Sequence, residues 1–248
     1  MKHNLRPSAG TLERLASFVN GVLRARGYEL RRYDYGNTAY QAQKALMDKR
    51  IDTVVDVGAN RGQYGGMIVR NRPDVAIRSF EPLPDAFKDL EALTKSHMNW
   101  TAYNVALGRS RAVKPLTIAG NSESSSLLEM NALHVEAAPT SAPIGRVEVP
   151  VKTLDDYFNI LGKDLFLKVD TQGFEAEVIA GASKVLEKTR YVQLEISFAS
   201  LYEGAPRPDA LIRQMRDSGF EVHTLNPVFS DRQRERLLQA DILFSRLI

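Results

Sequence analysis

Along residues 11–26 apolar side chains at Leu12, Leu15, Ala16, Val19, Val22 and Leu23 recur at the i, i+3, i+4, i+7 spacing of a helix. Glu13, Arg14, Asn20 and Arg24 fall between them, and Gly27 ends the pattern. A second helix is predicted from about Asn37 to Lys49. From Ile51 the period changes. Short β-branched runs (IDTVVDV, VAIRSF, NWTAYNV, DLFLKVD, RYVQLEI, FEVHTL and ADILFSRL) are separated by helical stretches after Gly62 and from Pro84, Phe174 and Pro208. Strands alternating with helices imply a mostly parallel sheet covered on both faces. The last two strands lack an intervening helix, which predicts a terminal hairpin on a seven-stranded, doubly wound α/β sheet of Rossmann-like type.

One stretch departs from the alternation. Between Gly108 and Thr153 the pattern predicts strands at Val113–Ile118 and Arg146–Val151, separated by NSESSS and an Ala/Pro-rich run at 137–143. An insertion of this length beside strand ends reads as a lid or substrate loop, or as a surface excursion without fixed structure. The expected organisation is a helical arm over 1–50 packed on the core, then a domain over 51–248 with the insertion at about 109–152.

Composition adds limits. Hydrophobic residues make up 44% and charged residues 25%, the make-up of a globular enzyme. No apolar run approaches the roughly 20 residues of a membrane span, and no apolar core follows Lys2 and Arg6, so neither a span nor a secretory signal is expected. The absence of cysteine excludes disulfides and thiolate chemistry, and a cytoplasmic location fits. The net charge of +3 is uneven: residues 1–50 carry ten Lys/Arg against four Asp/Glu. The ordinary reading of that arm is a solvated helix face packed on the domain or on a second subunit of a homo-oligomer; contact with an anionic membrane or with nucleic acid is the sharper one.

The segment TVVDVGANRGQYGG (53–66) carries the most chemistry. An apolar strand delivers Asp56, Gly58 allows a tight turn, and Gly62 lets a helix start close to a ligand above the strand end. The spacing is G-x-x-x-G, not the G-x-G-x-x-G of dinucleotide enzymes. Asp56 suits a ligand with a cationic end, such as the methionine amine of S-adenosylmethionine; the lesser alternative is a structural ion pair with Lys168 on a neighbouring strand. About 20 residues on, Glu81 in Phe80-Glu81-Pro82 is placed to take ribose hydroxyls. Asn104, Val105 and Ala106 fall where an adenine would lie.

These pieces resemble the FkbM family of S-adenosylmethionine-dependent methyltransferases: VVDVGANRGQY (54–64), FEPLPDAF (80–87), NVALG (104–108), the serines at 124–126, VPVKTLDDY (149–157) and LKVDTQGFEAEVIAG (167–181). The resemblance implies the class I methyltransferase fold and O-methylation of a sugar, glycolipid or polyketide-like hydroxyl. It carries the cofactor role to Asp56, Gly58, Asn60, Gly62, Tyr64, Glu81, Asn104 and Ala106, with the adjoining Pro82 and Val105.

Methyl transfer is an in-line displacement, so the protein chiefly positions the acceptor oxygen and removes its proton. Asp170 and Glu195, at the ends of middle strands, are the candidate catalytic groups; no metal is expected. Ser125, Ser126 and His134 in the insertion are candidate acceptor contacts. Glu175 reads as a helix-start residue, and His223 as an ordinary surface or core histidine. The rival readings are a nucleic-acid methyltransferase, made improbable by Asp170-Thr171-Gln172-Gly173 where amino-base enzymes carry an Asn/Asp-Pro-Pro-Tyr/Phe motif, a nicotinamide dehydrogenase, and a non-catalytic cofactor-binding scaffold.

Overall fold

The structure, a computed structural model, describes residues 9–246 apart from 32 and 35, and side chains from residue 16 onward. Lys2, Arg6 and Arg32 therefore lie outside the described residues, as do the side chains of Leu12, Glu13, Arg14 and Leu15. The chain divides into two compact units, Met1–Gln41 and Ala42–Ile248. In the first, helix α1 (Ala9–Arg24) stops before Gly27, which turns the chain at φ +79°. The Asn20 amide clamps the backbone of Leu30, accepting from its N–H at 2.6 Å and donating to its carbonyl at 2.8 Å.

Helix α2 (Thr38–Leu46) ends three residues earlier than the pattern predicts. The Asp48 carboxylate accepts from the Arg50 N–H at 3.0 Å and pairs with its guanidinium at 2.6 Å. Such a local side-chain turn competes with helix continuation. Among the described residues no helix is long and apolar enough to cross a membrane.

Strands β1 (Thr53–Val57), β2 (Ala76–Phe80) and β3 (Trp100–Tyr103) step outward through helices α3 (Gln63–Asn71) and α4 (Pro84–Thr94). A smaller sheet follows, made of β4 (Ala106–Leu107), β5 (Ala112–Ala119) and β6 (Pro143–Lys152), with the short helix α5 (Ala132–Ala137) between β5 and β6. The chain then returns to the main sheet through β7 (Leu165–Val169), helices α6 (Glu175–Ala180) and α7 (Ser183–Glu187), β8 (Thr189–Ser197), α8 (Pro208–Asp217) and the hairpin β9 (Phe220–Asp231) and β10 (Arg236–Arg246). The main sheet has seven strands in the order β3-β2-β1-β7-β8-β10-β9, parallel except for β10. Strand order reverses between β1 and β7, and ligands of open α/β sheets bind at that switch point, beyond the carboxyl ends of the strands.

Period-2 alternation sends the strand residues to two different faces. Val55, Val57, Leu167, Val169, Val192, Leu194, Ile242 and Phe244 form one continuous core with α6, α7 and α8. The other face is apolar at its base, where Val54, Ile77, Phe166 and Leu243 pack with Ile68 of α3 and Trp100. Towards the strand ends that second face turns polar, and the site begins there.

The insertion is folded. Its strands pair in the order β4-β6-β5, and Leu116, Val149, Val151 and Ala106 pack on Leu83 and Ala86 at the start of α4. The hairpin is longer than FEVHTL and ADILFSRL suggested, because β9 continues through Pro227 to Asp231. Proline is tolerated there since β9 is the sheet's edge strand.

Two neighbouring glycines of α3 give opposite expectations. A Cβ on Gly65 would overlap the Trp100 ring, whereas one on Gly66 meets only the end of Arg70 at 3.8 Å. Alanine is better than glycine in a helix by about 1 kcal/mol, but overpacking costs about 1–3 kcal/mol. Urea denaturation should show Gly66→Ala stabilised by about 0.5–1 kcal/mol and Gly65→Ala destabilised by about 1 kcal/mol; a stabilised Gly65→Ala would mean that Trp100 yields.

Candidate functional site

A cleft of about 430 Å³ opens over the carboxyl ends of β1, β2, β7 and β8, within the range of small-molecule sites. Its first wall is backbone. After β1 the chain turns at Gly58 (φ +77°), Asn60 (φ +46°) and Gly62 (φ +89°). A Cβ on Gly58 would overlap the backbone oxygen of Asp170, so only glycine lets the loop pass so close to the end of β7. The N–H groups of Gly58 and Ala59 both bond the Phe80 carbonyl, at 3.0 and 3.1 Å, which ties this loop to the end of β2.

Glu81 follows. One of its carboxylate oxygens accepts from the Asn60 N–H and the other from the Leu83 N–H, each at 2.7 Å. The residue is 6% exposed, and burial pushes its carboxyl up to about 7 despite those two donors. Each oxygen keeps a second lone pair for a hydroxyl donor. Val105, Ala106, Leu107, Leu116 and Leu127 complete an apolar slot beside it.

The floor is a row of charge on the second sheet face. Asp56 and Lys168 are register partners on β1 and β7. The Lys168 ammonium lies 3.5 Å from Asp56 Oδ1 and 3.4 Å from Asp170 Oδ2, with the Tyr64 ring 5.2 Å away. Burial works against the charge on Lys168, yet Asp170 and Asp56 hold its ammonium above the ordinary lysine range.

On the far side, Gln172 has a left-handed backbone (φ +55°) and its amide donates to Asp170 Oδ1 at 2.9 Å and to Glu195 Oε2 at 2.6 Å. Tyr202 fixes that amide, donating to Gln172 Oε1 at 2.8 Å. Glu195 Oε2 takes a further amide, from Gln239 on β10, also at 2.6 Å. Burial, then the nearby Asp170, Glu175 and Asp241, raise the Glu195 carboxyl well above its usual range. The insertion roofs this side: Asn60 donates to Ser122 at 3.1 Å and Gln63 to Glu123 at 2.9 Å, and His134 of α5 lines the cleft.

Of the residues expected from sequence, Gly58, Asn60, Tyr64, Glu81, Pro82, Val105, Ala106, Ser125, Ser126, His134, Asp170 and Glu195 line this cleft. Three others lie elsewhere. Asp56 is 0% exposed at the buried end of the charged row and does not line the cleft. Gly62 stands at the start of α3, where a Cβ would press on Leu90, Leu93 and Trp100. The Asn104 amide braces the carbonyls of Glu81 and Pro82, at 2.9 and 3.2 Å. The serine hydroxyls bond within the protein, Ser125 accepting from the Ala119 N–H at 3.1 Å and Ser126 donating to the Gln172 carbonyl at 2.8 Å. Glu175 accepts from the N–H groups of Thr171 and Gly173, at 2.9 and 3.1 Å, and staples the loop after β7. His223 is exposed on β9, away from the cleft. Sequence reasoning missed Gln172, Tyr202, Phe229 and Gln239, none of which sits in a spacing that marks chemistry.

The family model described as the FkbM methyltransferase domain matches residues 56–222, a span that holds the glycine loop, Glu81, the insertion and both candidate catalytic carboxylates. The chain belongs to the FkbM methyltransferase family. It is a methyltransferase that uses S-adenosylmethionine, and its residues fit that cofactor: a glycine-only passage, a buried carboxylate with lone pairs left over, and an apolar slot beside it. The FkbM chain is 27% identical over 169 residues to the 2-O-methyltransferase NoeI of Sinorhizobium fredii (strain NBRC 101917 / NGR234), covering 64% of this chain and 69% of that relative. Among solved structures it is similar to a putative S-adenosylmethionine-dependent methyltransferase from Listeria monocytogenes (TM-score 0.48, 8% identity, 84% of this chain and 98% of that one). TehB from Haemophilus influenzae is another (TM-score 0.47, 10% identity, 86% and 64%).

The buried carboxyls make stability depend on pH. Burial lifts Glu81 and Glu175 to about 7 and Asp241 to about 6. A carboxyl raised on folding takes up a proton between its unfolded and folded pKa values, so stability falls as pH rises through that window and levels off above it. His134 acts oppositely below its unfolded value, since burial lowers its pKa, but it is one group against several. Calorimetry of the cofactor-free protein should therefore show the melting temperature falling from pH 5 to pH 7.5, with a shallower fall in Glu195→Gln; a rising melting temperature would contradict the burial of these groups.

Proposed function

We propose that the chain transfers the methyl group to a hydroxyl of a neutral, polyhydroxylated acceptor of the sugar type. The observation that carries this reading is the state of Glu195. Its Oε2 is saturated by two amide donors, while Oε1 has no hydrogen-bond partner among the described residues, and the raised pKa makes the group a better base than an ordinary carboxylate. Bound S-adenosylmethionine supplies a methyl group activated by its sulfonium and leaves as S-adenosylhomocysteine.

Glu195 Oε1 is the atom that would take the proton of the acceptor hydroxyl when the methyl group is transferred to its oxygen. Gln172 and Gln239 hold the carboxylate in place through its other oxygen. Asp170 keeps Lys168 and Gln172 at the floor, and Glu81 takes the ribose hydroxyls. Among the described residues four acidic side chains line the cleft (Glu81, Glu123, Asp170 and Glu195) against one cationic residue, Lys168, which is already paired twice. That balance suits a cationic cofactor and opposes a phosphate-rich acceptor such as nucleic acid. The name of the relative NoeI, a 2-O-methyltransferase, supports the hydroxyl reading.

The tests are a binding titration and a turnover assay. Glu81→Ala should weaken S-adenosylmethionine binding at least about tenfold by calorimetry, the loss of a hydrogen bond to a charged group. Glu195→Gln should bind the cofactor normally while kcat, followed as S-adenosylhomocysteine release with methyl glycosides, falls about 10²–10⁴-fold. Methylation of amines or nucleobases in place of the glycosides would overturn the hydroxyl reading.

A further inference from the structure

The insertion places one buried polar group that finds no partner among the described residues. Helix α5 is anchored at its start: the Asn131 N–H bonds the Leu201 carbonyl at 2.8 Å and the Asn131 amide bonds the Ser200 hydroxyl at 2.9 Å, while Met130 bridges to Tyr202 in antiparallel fashion. One turn along, His134 is 3% exposed. Its ring stands edge-on to Tyr202 (centroids 5.1 Å, planes 78° apart) and tilted against Phe229 at 5.8 Å. It lines the same cleft as Glu195, yet its Nδ1 has no hydrogen-bond partner among the described residues.

The contrast with its neighbours is the point. Ser124 bonds Ser141 at 3.0 Å, Ser126 bonds the Gln172 carbonyl, Gln239 bonds Glu195, and the Tyr202 hydroxyl bonds Gln172. Native interiors pair their buried polar groups, so a cleft-lining exception calls for a ligand atom. A residue kept only for packing between Tyr202 and Phe229 would be served as well by phenylalanine, without the cost of a buried imidazole. We infer that His134 reads a second hydroxyl of the acceptor, distinct from the one that is methylated, and so selects polyols over simple alcohols. This rests on the hydroxyl-acceptor reading above. Burial also keeps the ring neutral, with one donor and one acceptor nitrogen, so Nδ1 can meet a hydroxyl in either direction, which a carboxylate or phosphate oxygen cannot do.

The chain has four histidines, so ¹⁵N-histidine labelling resolves His134 against three internal controls. With S-adenosylhomocysteine bound, methyl α-mannopyranoside, methyl β-glucopyranoside and their monodeoxy forms are titrated in, and the same compounds are assayed for methylation. A glycoside that is methylated should move the His134 ring nitrogens and leave the other three histidines in place. His134→Phe should raise KM roughly tenfold, the loss of one neutral hydrogen bond, with kcat and cofactor affinity little changed, and should erase the preference for the parent sugar over one deoxy form. His134→Asn, with an amide near Nδ1, should recover most of the loss. If glycosides are methylated while the His134 nitrogens stay unmoved and His134→Phe keeps its KM, the His134 assignment falls and the hydroxyl reading stands. If no glycoside binds or reacts, both fall. The labelled wild-type protein decides the matter even if His134→Phe does not fold.

Discussion

Lys168 sits on a central strand with 11% of its side chain exposed, between Asp56 and Asp170, and the rest of the site is arranged around that burial. A lone ammonium in such a place would lose its proton, because taking a charge out of water costs several kcal/mol even after relaxation. Two carboxylates at 3.4–3.5 Å prevent this, and they come from the strands on either side of the topological switch. The ionic row thus fixes the register of β1 against β7 on the face where a one-residue slip would put Asp56 into the apolar core. Removing one member of a buried pair typically costs about 3–5 kcal/mol, a large share of the 5–15 kcal/mol that holds a domain folded. The same row gives the cleft its floor, so stability and site geometry depend on one arrangement.

That arrangement also explains how much the sequence discloses. The alternation in VVDV, LKVD and QLEI puts Asp56, Lys168, Asp170 and Glu195 on one side of apolar strands, so both the α/β fold and the polar end of the sheet can be read directly. Glu81 is equally visible, since it follows a strand about 20 residues beyond the glycine loop. What stays hidden is reach across the chain. Asn104 has the right position to meet an adenine, but its amide is drawn to two backbone carbonyls nearby, a choice that spacing does not encode. Gln239 and Phe229 belong to a stretch, NPVFSDRQRERLLQ, whose polarity and proline conceal a long hairpin. Gln172 is masked differently: its role needs a left-handed backbone and a tyrosine 30 residues away.

The cleft's two halves are built from different materials. The cofactor half relies on backbone: a glycine passage, N–H groups turned on Glu81, and a loop tied to the Phe80 carbonyl. Backbone geometry tolerates few changes, which is why this half shows up in short motifs. The acceptor half is made of side chains from the loop after β7, from β8, from the β9–β10 hairpin and from the insertion. Those segments meet only in the folded state, where Gln172 and Gln239 converge on Glu195 and Ser126 holds the Gln172 carbonyl. In this chain the composite wall presents amides, hydroxyls and acidic side chains together, so what it can bind is set by how those donors and acceptors are placed relative to one another.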